Sequence, residues 1–254
     1  MQFWIILAVF YPLLGDIWKN EPFDDKNTFL PKQEIFLPDD QLNPQLQYLD
    51  NTEDAITREK TAHVIGLSNN PHAVTALEKH ALREKDEMAL AETLKSIYAL
   101  SSLSKPTQKN FYKECLASSN PFIRVYGTIL YAICEPDMDI LKILTNEKND
   151  YVTIQLWNFI TEKKLLKEMG AVENFLHEAK TPENQCEGLK YLAEYSADPD
   201  KVEQLKKICS DNEPILKTIL ASSLAKRSDG KGISLLATLS DDKAVPVRTQ
   251  VAQS

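Results

Sequence analysis

Residues 242–252 read Asp-Lys-Ala-Val-Pro-Val-Arg-Thr-Gln-Val-Ala, the clearest copy of a pattern that recurs about every thirty-two residues. Arg248 is the reference position of this copy. The equivalent positions earlier in the chain are Arg58, Leu90, Arg124, Thr153, Gln185 and Lys217. Self-similarity at this period is typical of repeat proteins, in which each unit buries its apolar face by stacking on its neighbours.

Two columns of mostly apolar residues accompany the reference positions. Four residues after them stand Ala62, Leu94, Thr128, Trp157, Leu189, Ala221 and Ala252. Seven residues after the first six stand Ile65, Ile97, Tyr131, Ile160, Leu192 and Leu224. Offsets of four and seven place both columns on one face of a helix. Trp157 is therefore expected to be a core residue.

Prolines mark the starts of the predicted helices. Several follow a residue that caps helices, as in Asn70-Pro71 and Asn120-Pro121. Proline is tolerated in the first helical turn, because its missing N–H would have no partner there. The pattern predicts helical pairs over 53–68 with 72–85, 87–103 with 106–118, 121–134 with 137–147, 150–168 with 171–180, 183–196 with 199–210 and 213–227 with 230–240, and a last helix from Val245.

These units resemble HEAT repeats, most closely the short bacterial kind of the phycobilisome-lyase-like class. The resemblance rests on paired helices, the unit length and an opening signature of Asp, an apolar residue, Arg and an alanine-rich turn. Asp242–Ala252 carries it best, and Asn120–Gly127 is a second good match. It implies an armadillo-type fold with an inter-repeat ladder of Asp and Arg. That ladder is only partly present, since Arg is replaced at Leu90, Thr153, Gln185 and Lys217.

The predicted fold is therefore all-α, a right-handed superhelix of about six helical pairs and a terminal helix over residues 51–254. Residues 19–50 carry four prolines and no periodicity, which predicts an extended linker, parts of which lie along the first repeat. Residues 1–18 are predicted to be a signal peptide or an N-terminal membrane anchor.

The amino-terminal prediction rests on an uncharged apolar run over residues 3–14. Its length suits a secretory signal and is short for a membrane span. No Lys or Arg precedes the run, and bulky Leu13 stands where cleavage after Gly15 prefers a small residue. An exported or membrane-anchored protein is predicted. A cytoplasmic protein whose apolar tip docks on the first repeat is the alternative.

Composition and motifs narrow the function. The net charge is −8, which argues against nucleic acid as a ligand, because phosphate binding requires clustered Lys and Arg. No phosphate-binding loop, nucleophile elbow or dinucleotide fingerprint occurs. The histidines, His63, His72, His80 and His177, show no metal-ligand spacing. We therefore predict no catalytic residue, no metal and no cofactor.

The four cysteines, Cys115, Cys134, Cys186 and Cys209, also lack metal-ligand spacing and are expected in the core. One pair has a second interpretation. If 183–196 and 199–209 form a helical hairpin, Cys186 and Cys209 lie level across it. In an oxidising compartment such a pair is a candidate disulfide.

The predicted second helices carry much of the basic charge, at Lys79, Arg83, Lys109, Lys113, Lys142, Lys206 and Lys207. In HEAT-type arrays these helices line the concave face, where partners bind. The sequence thus predicts a non-enzymatic scaffold that binds a protein or peptide there. An ordinary solvated face is the other interpretation of this charge. A lyase-like helical-repeat enzyme and a regulatory segment of a larger protein are the alternatives for function.

Overall fold

In the computed structural model, residues 36–166, 169–179 and 181–253 are described, and within them the chain is helical with no strand. We number the α-helices in chain order. They are α1 Asp39–Asn51, α2 Ala55–Gly66, α3 His72–Ala81, α4 Glu87–Leu100, α5 Lys109–Cys115, α6 Pro121–Cys134, α7 Ile140–Asn146, α8 Asp150–Lys163, α9 Met169–Glu178, α10 Pro182–Tyr195, α11 Glu203–Ser210, α12 Pro214–Ala225, α13 Ile233–Ser240 and α14 Val245–Gln253. A short 3-10 helix, Pro199–Lys201, precedes α11.

The helices fall into two alternating series. The first series consists of α2, α4, α6, α8, α10, α12 and α14, and each of these helices packs against the next in the series. The second series consists of α1, α3, α5, α7, α9, α11 and α13, with contacts from α1 to α3, α7 to α9 and α11 to α13. Second-series helices also pack on the first-series helix that follows them, as α3 does on α4 and α5 on α6.

The reference positions of the repeat are structurally equivalent, because each is the fourth residue of its first-series helix, from Arg58 in α2 to Arg248 in α14. The column four residues later is buried from Ala62 to Ala221, and Ala252 alone is exposed. The column seven residues later is buried except for Tyr131, which is half-buried. The repeat pattern thus predicted the buried face of each first-series helix.

Capping fixes where the first-series helices begin. The side chains of Asp54, Asp86, Asn120, Asn149 and Thr181 accept hydrogen bonds from backbone N–H groups in the first turn of the helix that follows. Each of these bonds satisfies a donor that has no partner within the helix. Proline occupies the first turn of α6, α10 and α12, as its fixed φ and missing N–H predict.

Several second-series helices are shorter than predicted. The predicted segment 106–118 is helical only over Lys109–Cys115, and 137–147 only over Ile140–Asn146. The segment 199–210 is divided, because Val202 is extended between the 3-10 helix and α11. In the first series, α8 ends at Lys163 because Lys164 adopts a left-handed conformation with φ 49°.

The predicted linker is wrong over its last residues, since α1 spans Asp39–Asn51. Proline density favoured an extended chain, but Pro38 stands at the cap and only Pro44 lies inside the helix. Pro44 has no backbone N–H, so the carbonyl of Asp40, four residues before it, has no donor within the helix. Both residues are exposed, and water can therefore satisfy that carbonyl. Leu42 and Leu49 are buried and hold α1 against α2 and α3.

Candidate functional site

A polar cleft of about 330 Å³ lies between α1 and α3. Leu42, Leu46 and Ala76 supply its apolar lining. Its polar lining consists of the acids Asp39 and Asp50, the imidazole of His72 and the basic residues Lys79 and Arg83. Two of the seven predicted partner-binding residues, Lys79 and Arg83, therefore meet in one concave site.

At one end of the cleft, Asp39 ties α1 to the start of α3. One carboxylate oxygen, Oδ1, accepts a hydrogen bond from Asn70 Nδ2 at 2.9 Å and lies 3.0 Å from His72 Nδ1. These hydrogen bonds, the one from Asn70 first, lower the pKa of Asp39. Its carboxylate thus keeps its charge at the mouth of the cleft.

At the other end, Asp50 holds two side chains from the region of α3. Asp50 Oδ1 lies 2.9 Å from Arg83 Nη2 and 3.2 Å from His80 Nδ1. His80 is buried, and its Nε2 lies 3.1 Å from Glu84 Oε2. Arg83 is therefore already paired. Lys79 is exposed and has no ionic partner among the described residues, which leaves its ammonium available to an anion.

Behind the cleft, Glu84 forms a two-point ion pair with Arg58. The distances are 2.6 Å from Arg58 Nε to Oε2 and 2.9 Å from Nη2 to Oε1. Burial alone would raise the pKa of Glu84. The hydrogen bonds from Arg58 and from the backbone of Asp86 and Lys85, together with the charge of Arg58, outweigh it and lower the pKa to about 2.

The same pairing recurs along the first series. Arg124 binds Glu147 through Nε and Nη2 at 3.0 and 3.1 Å, and Lys217 Nζ lies 2.5 Å from Asp242 Oδ2. Glu84, Glu147 and Asp242 each stand six residues before the next reference position. The ladder is more complete than the sequence predicted, because Lys217 takes the place of Arg. In the units where Leu90 and Thr153 stand in place of the basic residue, the acidic position of the next unit is also uncharged. It is Ser118 after Leu90 and Ala179 after Thr153.

The Arg58–Glu84 pair predicts a specific pH dependence. Glu84 has a folded pKa of about 2 against its ordinary 4.5, so its stabilisation is complete above 4.5 and disappears as the pH falls towards 2. Glu84→Gln should lower the free energy of unfolding by about 2 kcal/mol near neutral pH. The difference from wild type should shrink between those two pH values, measured by urea unfolding across that range.

Asp40→Asn, which alters an exposed acid of α1, is the matched control and should show little difference at any pH. A Glu84→Gln difference that stayed constant down to pH 2 would contradict the assignment of this pKa.

The other predicted basic residues are dispersed. Lys109 pairs with Glu135, and Lys206 lies 2.7 Å from Glu203 within α11. The remaining three are exposed and have no ionic partner in the described parts of the chain, and they are Lys113, Lys142 and Lys207. No single cluster contains all seven.

Comparison with known protein families, with characterised proteins and with solved structures finds no match for this chain.

Sequence reasoning missed a buried carboxylate, Glu78 in α3. Its Oε1 accepts hydrogen bonds from Thr107 N at 2.6 Å, Gln108 N at 3.1 Å and Tyr112 Oη at 2.7 Å, and its Oε2 accepts one from Thr107 Oγ1 at 2.9 Å. Burial, and then the bond to Glu78, raise the pKa of Tyr112. Glu78 caps α5 from a neighbouring helix, so its role is structural. The one feature of the sequence that could have indicated this role is the position of Glu78, a charged residue beside Leu77 on an apolar helix face.

The four cysteines are free thiols, so the Cys186–Cys209 disulfide is not formed. Cys209 lies near the charges of Lys217 in α12 and of Asp242 in the turn before α14, whereas the charges near Cys186 belong to its own helix. Burial raises the pKa of both thiols, which makes them poor nucleophiles.

The residues that the structure describes hold no group of three or more His, Cys, Asp or Glu side chains that could bind a metal ion. None of their helices is long and apolar enough to cross a membrane. The predicted signal or anchor at 1–18, and the linker up to residue 35, lie outside the described residues.

Proposed function

We propose that this protein is a non-enzymatic scaffold that binds an acidic protein segment or peptide, with its anchor point in the cleft between α1 and α3. The observation that carries the proposal is Lys79. Its ammonium is exposed in a concave site, without an ionic partner among the described residues and beside an apolar lining. A carboxylate of the bound segment would pair with Lys79 while an apolar side chain covers Leu46 and Ala76.

The architecture we propose is a right-handed α-solenoid of the HEAT type. Two features support it. The first-series helices pack one on the next, and the seven reference positions fall at the same place in their helices. A repeat array of this kind offers a long surface built from second-series helices, on which Lys113, Lys142 and Lys207 would extend the contact.

The state of the buried polar groups supports binding rather than catalysis. Glu78 is saturated by groups of α5 and its preceding loop, and Glu84 by Arg58 and backbone N–H groups. An acid or base engaged in this way is poorly placed to exchange a proton with a substrate.

The test is binding of a fluorescent peptide of alternating Glu and Leu to the full chain, followed by fluorescence anisotropy. Lys79→Glu should weaken binding about tenfold or more, because an attraction becomes a repulsion at the anchor point. Lys79→Met should weaken it less. Added salt should reduce the affinity of the wild type more than that of Lys79→Glu, because screening weakens the attraction at Lys79 and the repulsion from the introduced glutamate alike.

Lys243→Glu is the matched control, since it makes the same change of net charge at an exposed lysine outside the cleft. Equal effects of the two reversals would mean that net charge, and not the cleft, governs binding. Binding that is insensitive to both would refute the proposed site.

For location, we propose export or membrane tethering through residues 1–18. Intact mass and cell fractionation test it in the native type of cell. Loss of the apolar segment with an exported product would indicate a cleaved signal, and a full-length protein in membranes an anchor. A full-length protein in the soluble cytoplasmic fraction would refute both.

A further inference from the structure

The helix α1 is attached to α3 at both ends by a carboxylate and a histidine. At the start of α1, the two carboxylate oxygens of Asp39 lie 3.0 and 3.1 Å from His72 Nδ1. At its end, Asp50 Oδ1 lies 3.2 Å from His80 Nδ1. Two of the four histidines of the chain therefore lie where these two helices meet.

His80 lies between two carboxylates. Its side chain is buried, with Nδ1 facing Asp50 and Nε2 3.1 Å from Glu84 Oε2. The Nε2 contact is too poorly aligned for a hydrogen bond, so its attraction is one between charges. A neutral imidazole has one N–H and one lone pair, and here it would direct the lone pair at a carboxylate. An imidazolium has an N–H on each nitrogen, so the geometry fits the charged ring.

The other charged groups around His80 come from every neighbouring element. They are Asp50 of α1, Asp54 and Arg58 at the start of α2, Lys79 of α3, Arg83 and Glu84 just after α3, and Asp86 before α4. Carboxylates, ammonium groups and guanidinium groups keep their charge between about pH 5 and 8, whereas histidine is the side chain that changes charge there. The attraction between α1 and α3 therefore varies with pH through the imidazoles.

The pair at the start of α1 is the weaker of the two. The side chains of His72 and Asp39 are 73% and 55% exposed, so water and salt screen their attraction. Asn70 also holds Asp39, through a neutral hydrogen bond that does not change with pH. His80 is therefore the main source of any pH dependence in the attachment of α1.

The sequence of α1 supports a helix poorly, which makes its attachments important. Pro44 stands inside the helix, and no side chain caps its first turn. Leu42 and Leu49 are buried and supply an apolar attachment that does not change with pH. The ion pairs of Asp39 and Asp50 add an attachment that does.

We propose that α1 is a pH-sensitive arm, held on α3 by the imidazolium of His80, with a smaller contribution from His72, and loosened as these rings lose their protons. The stabilisation is present where the rings are charged and is lost as the pH rises. Because α1 forms one wall of the cleft, its loosening would widen that site. The attachment itself does not depend on the proposed binding function.

The test is amide hydrogen exchange of the full chain without peptide, from pH 5.5 to 8, with each rate divided by the intrinsic rate at that pH. We expect the protection of α1 to fall about tenfold over this range. Residues 182–253 contain no histidine and should change little. The ring ¹⁵N shifts of His80 should show both nitrogens protonated at pH 5.5. A neutral ring at that pH, a constant protection of α1, or an equal fall in residues 182–253 would overturn the proposal.

Two substitutions separate the histidine from a general weakening of α1. Asp50→Asn removes the charge that His80 faces, so the protection of α1 at pH 5.5 should fall close to the wild-type value at pH 8 and vary less with pH. Arg83→Gln removes the other cation that binds Asp50 and leaves His80 in place. It should lower the protection at every pH and keep the pH dependence.

Residues 182–253 serve as the internal reference in both variants, so a variant that has unfolded as a whole is recognised. A pH dependence that survives Asp50→Asn in full would contradict the role of His80, and so would one that Arg83→Gln abolishes.

Discussion

Replacing Glu78 by Ala is expected to lower the free energy of unfolding by about 3 kcal/mol, the cost of stranding several buried polar groups. The carboxylate is 2% exposed and accepts four hydrogen bonds. Two of the donors are the backbone N–H groups of Thr107 and Gln108, the two residues that lead into α5. A further donor is the buried hydroxyl of Tyr112. Urea unfolding followed by circular dichroism measures the loss.

A double-mutant cycle identifies the cause. Tyr112→Phe removes one donor, so it should cost less in the Glu78→Ala background than in wild type, and the difference is the coupling between the two groups. Glu114→Ala, on the exposed face of α5, controls for the loss of a negative charge and should be nearly neutral. Equal costs for Glu78→Ala and Glu114→Ala would show that Glu78 does not cap α5.

The buried face of the first series could be predicted because its cause is local. Offsets of four and seven within one helix follow from helical geometry, and Ala62, Leu94 and Leu189 are buried as that geometry requires. Helix starts could be predicted for the same reason, since a cap and a proline act within one turn.

Contacts between units could not be predicted in this way. Glu78 reaches Thr107, and Arg227 Nη1 donates to the carbonyls of Ala193, Glu194 and Ser196, about thirty residues away. Arg227 thus caps the carboxyl end of α10, and its guanidinium is oriented by a two-point ion pair with Asp229. Such pairs depend on how one unit lies on the next, which local spacing does not specify.

The candidate site was half predicted. Lys79 and Arg83 were identified from charge, but Asp39 and Asp50 belong to α1, which the prolines made look like a linker. The cleft lies between α1 and α3, so it could not be predicted from a sequence in which α1 was taken for a linker. The error lay in treating Pro44 as a helix breaker, although a single proline is tolerated on an exposed face when tertiary packing holds the helix.

Trp157→Ala is expected to be the most destabilising single change, at about 4 kcal/mol, the usual cost of removing a large aromatic side chain from a core. Trp157 is 1% exposed and packs against the rings of Phe175 and Tyr191, with centroids 5.5 and 5.9 Å away. It therefore joins α8 to α9 and α10. Collapse of the surrounding helices around so large a cavity would require all three to move.

The tryptophan also completes a buried polar chain. Its Nε1 donates to Asn184 Oδ1 at 3.3 Å, and Asn184 Nδ2 donates to the carbonyl of Leu144 at 2.9 Å. Trp157→Phe keeps most of the ring but leaves Asn184 Oδ1 without its donor, which should cost about 1–2 kcal/mol. The difference between the two variants separates the contribution of packing from that of the hydrogen bond.

Hydrogen exchange distinguishes a local loss from a global one. Because α8 contacts α6 and α10 in series, weakening of this core should reduce amide protection most in α7 to α10 and least in α2 to α4. Ile154 is a 39% exposed residue on the same helix, and Ile154→Ala is the matched control, with an expected cost below about 1 kcal/mol. A uniform loss of protection along the chain would mean that the helices unfold as one cooperative unit, and the serial contacts would then not govern stability.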